Sequence, residues 1–163
     1  MYIHLMGTEA LAPAEACQAV AASCPCFALR KASRAVTQLF DEALRPVGLH
    51  ATQFSLLVAL RLLDAVRVCD LAEEVVTDPT TLSRNLAVLQ RRGLVTLAAG
   101  GDRRTRLVVL TAAGHAALSR ALPLWDATYR RLEGVLSAPE AAQLLGSLDA
   151  MTRLAVSARE DRR

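Results

Sequence analysis

The most reactive side chains in this sequence belong to four cysteines, three of which lie close together near the beginning of the chain. Cys24 and Cys26 flank a single proline, and Cys17 lies shortly before them. Closely spaced thiols can share a soft metal ion or act together as an oxidation sensor. The pattern does not indicate a zinc finger, because no second Cys/His pair follows at finger spacing. Alternatively, these are ordinary thiols near the start of a helix.

A second set of functional side chains lies on a helix predicted from about residue 79 to residue 92. Asp78 suits the N-cap, Pro79 suits the first turn, and Gly93 suits the left-handed conformation that ends a helix. At about 100° per residue, one face is made of leucines and must pack inward. These leucines are Leu82, Leu86 and Leu89. The residues predicted to face outward and to bind are Thr80, Thr81, Ser83, Arg84 and Arg91, with Ala87 between them.

This outward face has the chemistry of a helix that reads the DNA major groove. Arginine can donate two hydrogen bonds to guanine, and threonine can reach a phosphate or a thymine methyl group. A small residue such as Ala87 allows the helix to approach closely. The alternative is that Arg84 and Arg91 are solvated surface charges, which are common on exposed helices.

The segment after this helix is predicted to form a β-hairpin with a basic tip. Residues 94–97 and 107–110 are β-prone runs, and Gly100-Gly101 favours a turn between them. Three arginines beside this turn could enter a minor groove or hold the phosphate backbone: Arg103, Arg104 and Arg106. Asp102 would repel phosphate, so we expect it to orient an arginine through a bidentate pair.

The order and spacing of these segments resemble the winged helix-turn-helix of the MarR (multiple antibiotic resistance regulator) family. The resemblance covers about residues 27–155 and is carried by Leu71-Ala72, Ser83-Arg84, Arg92-Gly93-Leu94-Val95, Asp102-Arg103-Arg104 and Leu110-Thr111. The wing departs from the family pattern because it is shorter, with Gly100-Gly101 where a second acidic-basic pair is common. In this family, the first and last helices of two subunits interlock into a dimer, and the resemblance implies the same here.

The resemblance also draws attention to Cys69, which occupies the position where the family usually has a serine or threonine N-cap. A thiol at a helix N-terminus ionises more readily, so Cys69 joins Cys24 and Cys26 as a candidate for thiol or metal sensing. Alternatively, Cys69 is a small, partly buried replacement for serine.

The expected fold is mainly α with a small β-wing, a winged helix-turn-helix with N- and C-terminal dimerisation helices. Four segments are expected: an arm at 1–14, an N-terminal dimerisation helix at 15–50 broken near Pro25, a DNA-binding lobe at 51–111, and C-terminal dimerisation helices at 112–163. In a helix predicted at 52–63, the inward residues should be Phe54, Leu57, Val58 and Leu62. Residues 66–68 could add a third strand to the wing.

The C-terminal part is predicted to contain two helices. Thr111 should cap the first, with Pro123 inside it, and Ser137 and Glu140 form a capping box for the second. Trp125 lies on an apolar stripe of the first helix and could line a ligand pocket, although such a residue is more often part of the core.

The composition limits the class of protein. The chain has 163 residues, of which 53% are hydrophobic and only 4% aromatic, so the core must consist mainly of Leu, Ala and Val, which favours helices. The net charge is only +3, and all but one of the 19 basic residues are arginine, with Lys31 the exception. Local arginine clusters fit DNA binding better than uniform positive charge does.

No cofactor loop, Ser/His/Asp set or paired carboxylates indicate an enzyme. A redox enzyme built on Cys24 and Cys26 would lack catalytic surroundings. The first residues do not resemble a signal peptide, and no apolar run reaches the roughly 18 residues of a membrane span. We therefore expect a cytoplasmic protein with reduced thiols.

Together with the resemblance, these observations predict a dimeric, sequence-specific DNA-binding transcriptional regulator. Its expected partners are a pseudo-palindromic double-stranded operator and a second copy of itself, with no membrane. It is expected to need no cofactor and to act as a repressor that a small organic molecule, an oxidant or a soft metal releases from DNA. The alternative is a winged-helix module that binds protein and has no specific affinity for DNA.

Overall fold

The computed structural model describes residues 13–99 and 106–161, and in these ranges the fold is mainly helical. The helices are α1 (Ala14–Ser23), α2 (Pro25–Leu44), α3 (Ala51–Leu63), α4 (Val68–Glu74), α5 (Pro79–Arg91), α6 (Ala112–Glu133) and α7 (Ala138–Glu160). A 3-10 turn, Arg45–Val47, follows α2. The predicted break near Pro25 is confirmed, because α1 and α2 are separated at Cys24.

The chain divides into two compact units, Met1–Thr37 and Gln38–Arg163, with the boundary inside α2. In the described part of the first unit, every side chain of α1 is exposed. The second unit contains the hydrophobic core and the sheet. Among the described residues, no single helix has the length and hydropathy of a membrane span. Pro25–Val47 and Ala51–Leu63 pass that test only together and are bent by 76° at the turn between them.

Three short strands form an antiparallel sheet. They are β1 (Ala65–Arg67), β2 (Val95–Ala99) and β3 (Arg106–Leu110), in the order β1-β3-β2. Val108 lies at the centre of the sheet, opposite Val66 on one side and Leu97 on the other. The third strand expected at residues 66–68 is therefore present, but it begins and ends one residue earlier, at Ala65 and Arg67.

Most residues in the core of the second unit are leucines, and most of these leucines belong to α3, α4 and α5. Phe54 and Leu57 are buried in α3 as predicted, and Val58 is half-buried. The expectation for Leu62 is wrong, because its side chain is 79% exposed. Residues 61–65 are all exposed, so the last turn of α3 extends beyond the core, and Leu60 is the last buried leucine of this helix.

The start of α6 packs tightly against the segment that follows α5. Thr111 caps α6 as predicted, since its hydroxyl accepts a hydrogen bond from the Gly114 N–H at 3.0 Å. The same hydroxyl donates to the Gly93 carbonyl at 2.6 Å. A Cβ atom at Gly114 would lie 2.0 Å from the Leu94 carbonyl oxygen, so only glycine fits at this position.

At the other end of α6, the predicted capping box marks the start of α7. The Ser137 N–H and hydroxyl both donate to the Glu140 carboxylate, at 2.8 and 2.6 Å. These hydrogen bonds hold the pKa of Glu140 below its ordinary value.

The turn between α4 and α5 contains a strained residue. The Val76 N–H donates to the Glu73 carbonyl at 3.1 Å, and the Thr77 N–H donates to the Ala72 carbonyl at 2.9 Å. This is the Schellman pattern that ends a helix in a left-handed residue, usually glycine. Val76 holds that conformation with φ of 49°, although a β-branched side chain disfavours it.

We predict that Gly114→Ala lowers the free energy of unfolding by about 1–3 kcal/mol, because the added methyl group must displace the Leu94 backbone. The measurement is urea unfolding followed by circular dichroism. Gly134→Ala is the control at the C-cap of the same helix, where the new Cβ would meet its nearest atom, the Arg131 carbonyl oxygen, at an ordinary 3.4 Å. Equal stability of the two variants would contradict the close approach at Gly114.

We predict that Val76→Gly raises the free energy of unfolding by about 1 kcal/mol. Relief of left-handed strain should exceed the entropy that glycine adds to the unfolded chain. Val76→Ala is the control, since alanine keeps a Cβ atom and should gain less. The same urea titration measures both, and a glycine variant less stable than the alanine variant would show that residue 76 is not left-handed in solution.

Candidate nucleic-acid interface

Helix α5 begins and ends as its sequence predicts. The Asp78 carboxylate accepts a hydrogen bond from the Thr81 N–H at 2.8 Å, and Pro79 occupies the first turn. Hydrogen bonds from Thr81 hold the pKa of Asp78 below its ordinary value, and the Thr81 hydroxyl contributes more to this than the Thr81 backbone N–H does. At the other end, Gly93 has φ of 67°, which closes the helix in the left-handed conformation. Both ends are therefore fixed by local interactions.

The two faces of α5 differ as predicted. Leu82, Leu86 and Leu89 are buried, with 1, 7 and 0% of their surface exposed. The residues predicted to face outward are all exposed: Thr80, Thr81, Ser83, Arg84, Ala87 and Arg91. The Ser83 hydroxyl donates to the Pro79 carbonyl at 2.7 Å, so this side chain lies against its own helix.

An open groove of about 660 Å³ runs along the exposed face of α5. The described residues that line it are Arg84, Ala87, Val88, Gln90 and Arg91. None of the ion pairs formed within the described ranges involves Arg84 or Arg91. Gln90 was not among the predicted site residues. Because Gln90 lies about two helical turns after Ser83, helical periodicity would have placed it on the same face of α5.

The wing is described only where its strands pair. Ala99 of β2 lies opposite Arg106 of β3, and the Arg106 side chain is exposed at the start of that strand. Asp102, Arg103 and Arg104 lie outside the described residues, so their predicted roles remain predictions.

The start of α4 differs from the expected arrangement around Cys69. The N-cap is Arg67 and the helix begins at Val68, so Cys69 lies in the first turn and is not the cap. The Arg67 guanidinium donates two hydrogen bonds of 2.6 Å to the Asp70 carboxylate, which lower the pKa of Asp70. The Cys69 thiol also donates to this carboxylate at 3.4 Å. The ion pair between Arg67 and Asp70 thus stabilises the start of α4, which has no side-chain cap.

All four cysteines, Cys69 included, are free. Cys17 and Cys26 are exposed, whereas Cys24 is half-buried at the break between α1 and α2. In residues 13–99 and 106–161, no group of three or more His, Cys, Asp or Glu side chains is placed to hold a metal ion. Metal or thiol sensing by these cysteines therefore stays a prediction.

Trp125 is half-buried and packs against the core. Its ring is stacked on Tyr129, with 5.1 Å between centroids and 9° between planes. A second cavity, of about 300 Å³, lies elsewhere, between the end of α2 and the start of α3. The predicted ligand pocket at Trp125 remains untested.

Large apolar side chains remain exposed on and near α7. Val135, Leu145 and Leu154 are 78, 61 and 72% exposed, and Leu144 and Met151 are exposed beside them. Burying side chains of this size stabilises a protein by about 1.5–3 kcal/mol each, so such a surface favours association with another surface.

Comparison with known proteins agrees with the helical fold and the three-stranded sheet. A family model described as MarR family matches residues 47–105. An uncharacterized HTH-type transcriptional regulator of Bacillus cereus is 35% identical over 53% of this chain and 57% of its own length. The chain spans less than two thirds of the length of the curated relatives it matches.

Solved structures match over a larger part of the chain. The transcriptional regulator MosR of M. tuberculosis, in complex with DNA, is 37% identical, with 83% of this chain and 98% of that chain covered and a TM-score of 0.75. A mutant MarR of E. coli, complexed with operator DNA, is 26% identical, with 81 and 96% covered and a TM-score of 0.74. The likeness to MosR over nearly its whole length, together with the family-model match, shows that this chain belongs to the MarR family of transcriptional regulators.

Proposed function

We propose that this protein is a dimeric repressor that binds a pseudo-palindromic DNA site. The observation that carries the proposal is the outward face of α5, where two arginines without an ion-pair partner in the described residues flank a shallow groove. MosR and MarR, which share the fold, have been solved with DNA, and this supports the same partner here. As a DNA-binding regulator, the protein would act in the cytoplasm.

In this proposal, α5 enters the major groove. Arg84 and Arg91 donate to base edges or phosphates, Thr80 and Thr81 contact the backbone near the start of the helix, and Ala87 leaves room for the bases. Ser83 would first exchange its hydrogen bond to its own backbone for one to DNA. The wing arginines would add contacts that do not depend on sequence.

A second copy of the chain supplies the second half of the interface. The exposed apolar surface of α7 is the surface that a partner would cover. Two copies related by a two-fold axis present two α5 helices, which suits half-sites separated by about one helical turn. An effector that binds the DNA-free conformation more tightly would release the protein, whereas an effector with equal affinity for both conformations would not.

We expect Arg84→Ala and Arg104→Ala to weaken DNA binding in different ways. Arg84→Ala should cost about 1–3 kcal/mol and relax sequence preference, because it removes a contact to a base edge. Arg104→Ala should weaken binding to all sequences and flatten the salt dependence, because it removes a phosphate contact. Fluorescence anisotropy with the parent's own selected duplex and with a random duplex, over a range of salt concentrations, measures both effects.

Arg130→Ala is the control for that experiment, because Arg130 is exposed and paired with Asp126 on α6. It should bind DNA like the parent. If both interface variants also bind like the parent, the assignment of these residues is wrong. If the parent itself shows no specific and salt-sensitive DNA binding, a protein-binding module becomes the better interpretation.

The effector is proposed to be an oxidant or a soft metal acting at Cys24 and Cys26, or a small organic molecule near Trp125. Peroxide would oxidise two thiols to one disulfide and be reduced to two molecules of water, with the thiol protons passing to the oxygen atoms. A soft metal would instead bind the two thiolates. Either reaction would alter the junction between α1 and α2, where these cysteines lie.

We expect the double variant Cys24→Ser, Cys26→Ser to bind DNA but to lose any release by peroxide or cadmium. Cys69→Ser tests the third candidate thiol separately, because Cys69 lies in α4, and a response lost only in this variant would assign sensing to Cys69. Anisotropy with and without each reagent, in the absence of reductant, provides the measurement. A double variant that responds like the parent would exclude this cysteine pair as the sensor.

A further inference from the structure

Arg91 and Arg92 are neighbours in sequence but have different surroundings. Arg91 lines the groove on the exposed face of α5. The Arg92 guanidinium instead donates to the Gly48 carbonyl at 2.7 Å and to the Gln53 side-chain oxygen at 3.3 Å, with both bonds from Nη1. Gln53 is only 6% exposed, so this contact reaches into the core of the second unit.

The acceptors of Arg92 lie at the junction of α2 and α3, with Gly48 in the turn and Gln53 in the first turn of α3. Gly48 has φ of 69°, and a Cβ atom there would lie 3.3 Å from the Arg92 Nη2 atom, so the guanidinium lies directly over the turn. The Gln53 oxygen also accepts from the His50 N–H at 3.2 Å. The Asp41 carboxylate of α2 accepts from the Ala51 N–H at 2.6 Å. The Arg92 contacts therefore tie the end of α5 to the junction of α2 and α3.

The same end of α5 is also tied to α6. The Thr111 hydroxyl donates to the Gly93 carbonyl at 2.6 Å, and the Thr111 N–H donates to the Leu94 carbonyl at 3.1 Å. Residues 92–94 are thus held from two sides, by Arg92 toward α2 and α3 and by Thr111 toward α6. The N-terminal end of α5 is joined to α4 by the strained turn at Val76.

We infer that Arg92 is a positioning residue for DNA recognition. Its hydrogen bonds fix the direction of α5 relative to α2 and α6, and this direction sets the separation of the two α5 helices in the dimer. The inference rests on the proposed DNA-binding function. Helix α5 is about 20 Å long at 1.5 Å per residue, so a small rotation about its C-terminal end displaces its first turn appreciably. The planar guanidinium suits this role because it presents several donors in a fixed geometry.

The test compares Arg92→Gln and Arg92→Lys with the parent on a set of related duplexes. The probes are the duplex that the parent selects from a random library, the same half-sites moved apart by a single base pair and by two, and a random duplex. Each added base pair increases the separation by about 3.4 Å. We expect both variants to bind the selected duplex about tenfold more weakly and to distinguish less between the spacings. Their salt dependence should equal that of the parent, because Arg92 would contact no phosphate.

Arg91→Ala is the matched control, since it removes a neighbouring arginine from the exposed face. It should reduce the salt slope by about one and leave the preferred spacing unchanged. Gln53→Met provides a second route to the same contact, because methionine has a similar volume but no acceptor oxygen. It should broaden the spacing preference as Arg92→Gln does, and the double variant should add little to either single change. Circular dichroism establishes that each variant is folded.

Two results would overturn the inference. One is an Arg92→Gln protein that keeps both the affinity and the spacing preference of the parent. The other is one that loses salt slope as Arg91→Ala does, which would make Arg92 a phosphate contact. Failure of the proposed function looks different, because the parent itself would then show no preference for the selected duplex over the random one.

Discussion

Burial of one face of α5 is the constraint on which the rest of the described structure depends. Leu82, Leu86 and Leu89 can enter the core only if the helix is turned so that Arg84 and Arg91 face outward. Because each buried leucine contributes about 1.5–3 kcal/mol, this orientation is far more stable than any that would bury an arginine. The surface proposed to read DNA is thus held in place by the packing that stabilises the unit.

The sequence predicts what is decided locally. Asp78 and Pro79 begin α5, Thr111 begins α6 and Gly93 ends α5, because capping depends on a few neighbouring residues. Leu62 shows the limit of periodicity, since a helical pattern cannot tell where a helix leaves the core. At Cys69 the start of α4 is displaced because Arg67 pairs with Asp70, an interaction that the family resemblance did not suggest.

The role inferred for Arg92 could not be predicted from local sequence. Its acceptors, Gly48 and Gln53, precede it by 44 and 39 positions, so nothing in the pattern around Arg91 and Arg92 distinguishes the two. Both side chains are exposed, and what separates them is contact: Arg91 lines the groove, whereas Arg92 donates to Gly48 and Gln53. The apolar surface of α7 is a similar case, because the local sequence does not show how much of it a single chain leaves exposed.

The near absence of lysine has a consequence for how such a protein can be controlled. Lys31, on α2, is the single lysine in the sequence, and every basic residue of α5 and of the described strands is arginine. Acetylation, which neutralises lysine, therefore has no target on these elements, and arginine keeps its charge at any physiological pH. The positive charge of the face proposed to read DNA is thus independent of lysine acetylation and of physiological pH. Regulation of that face would then rest on moving it or covering it.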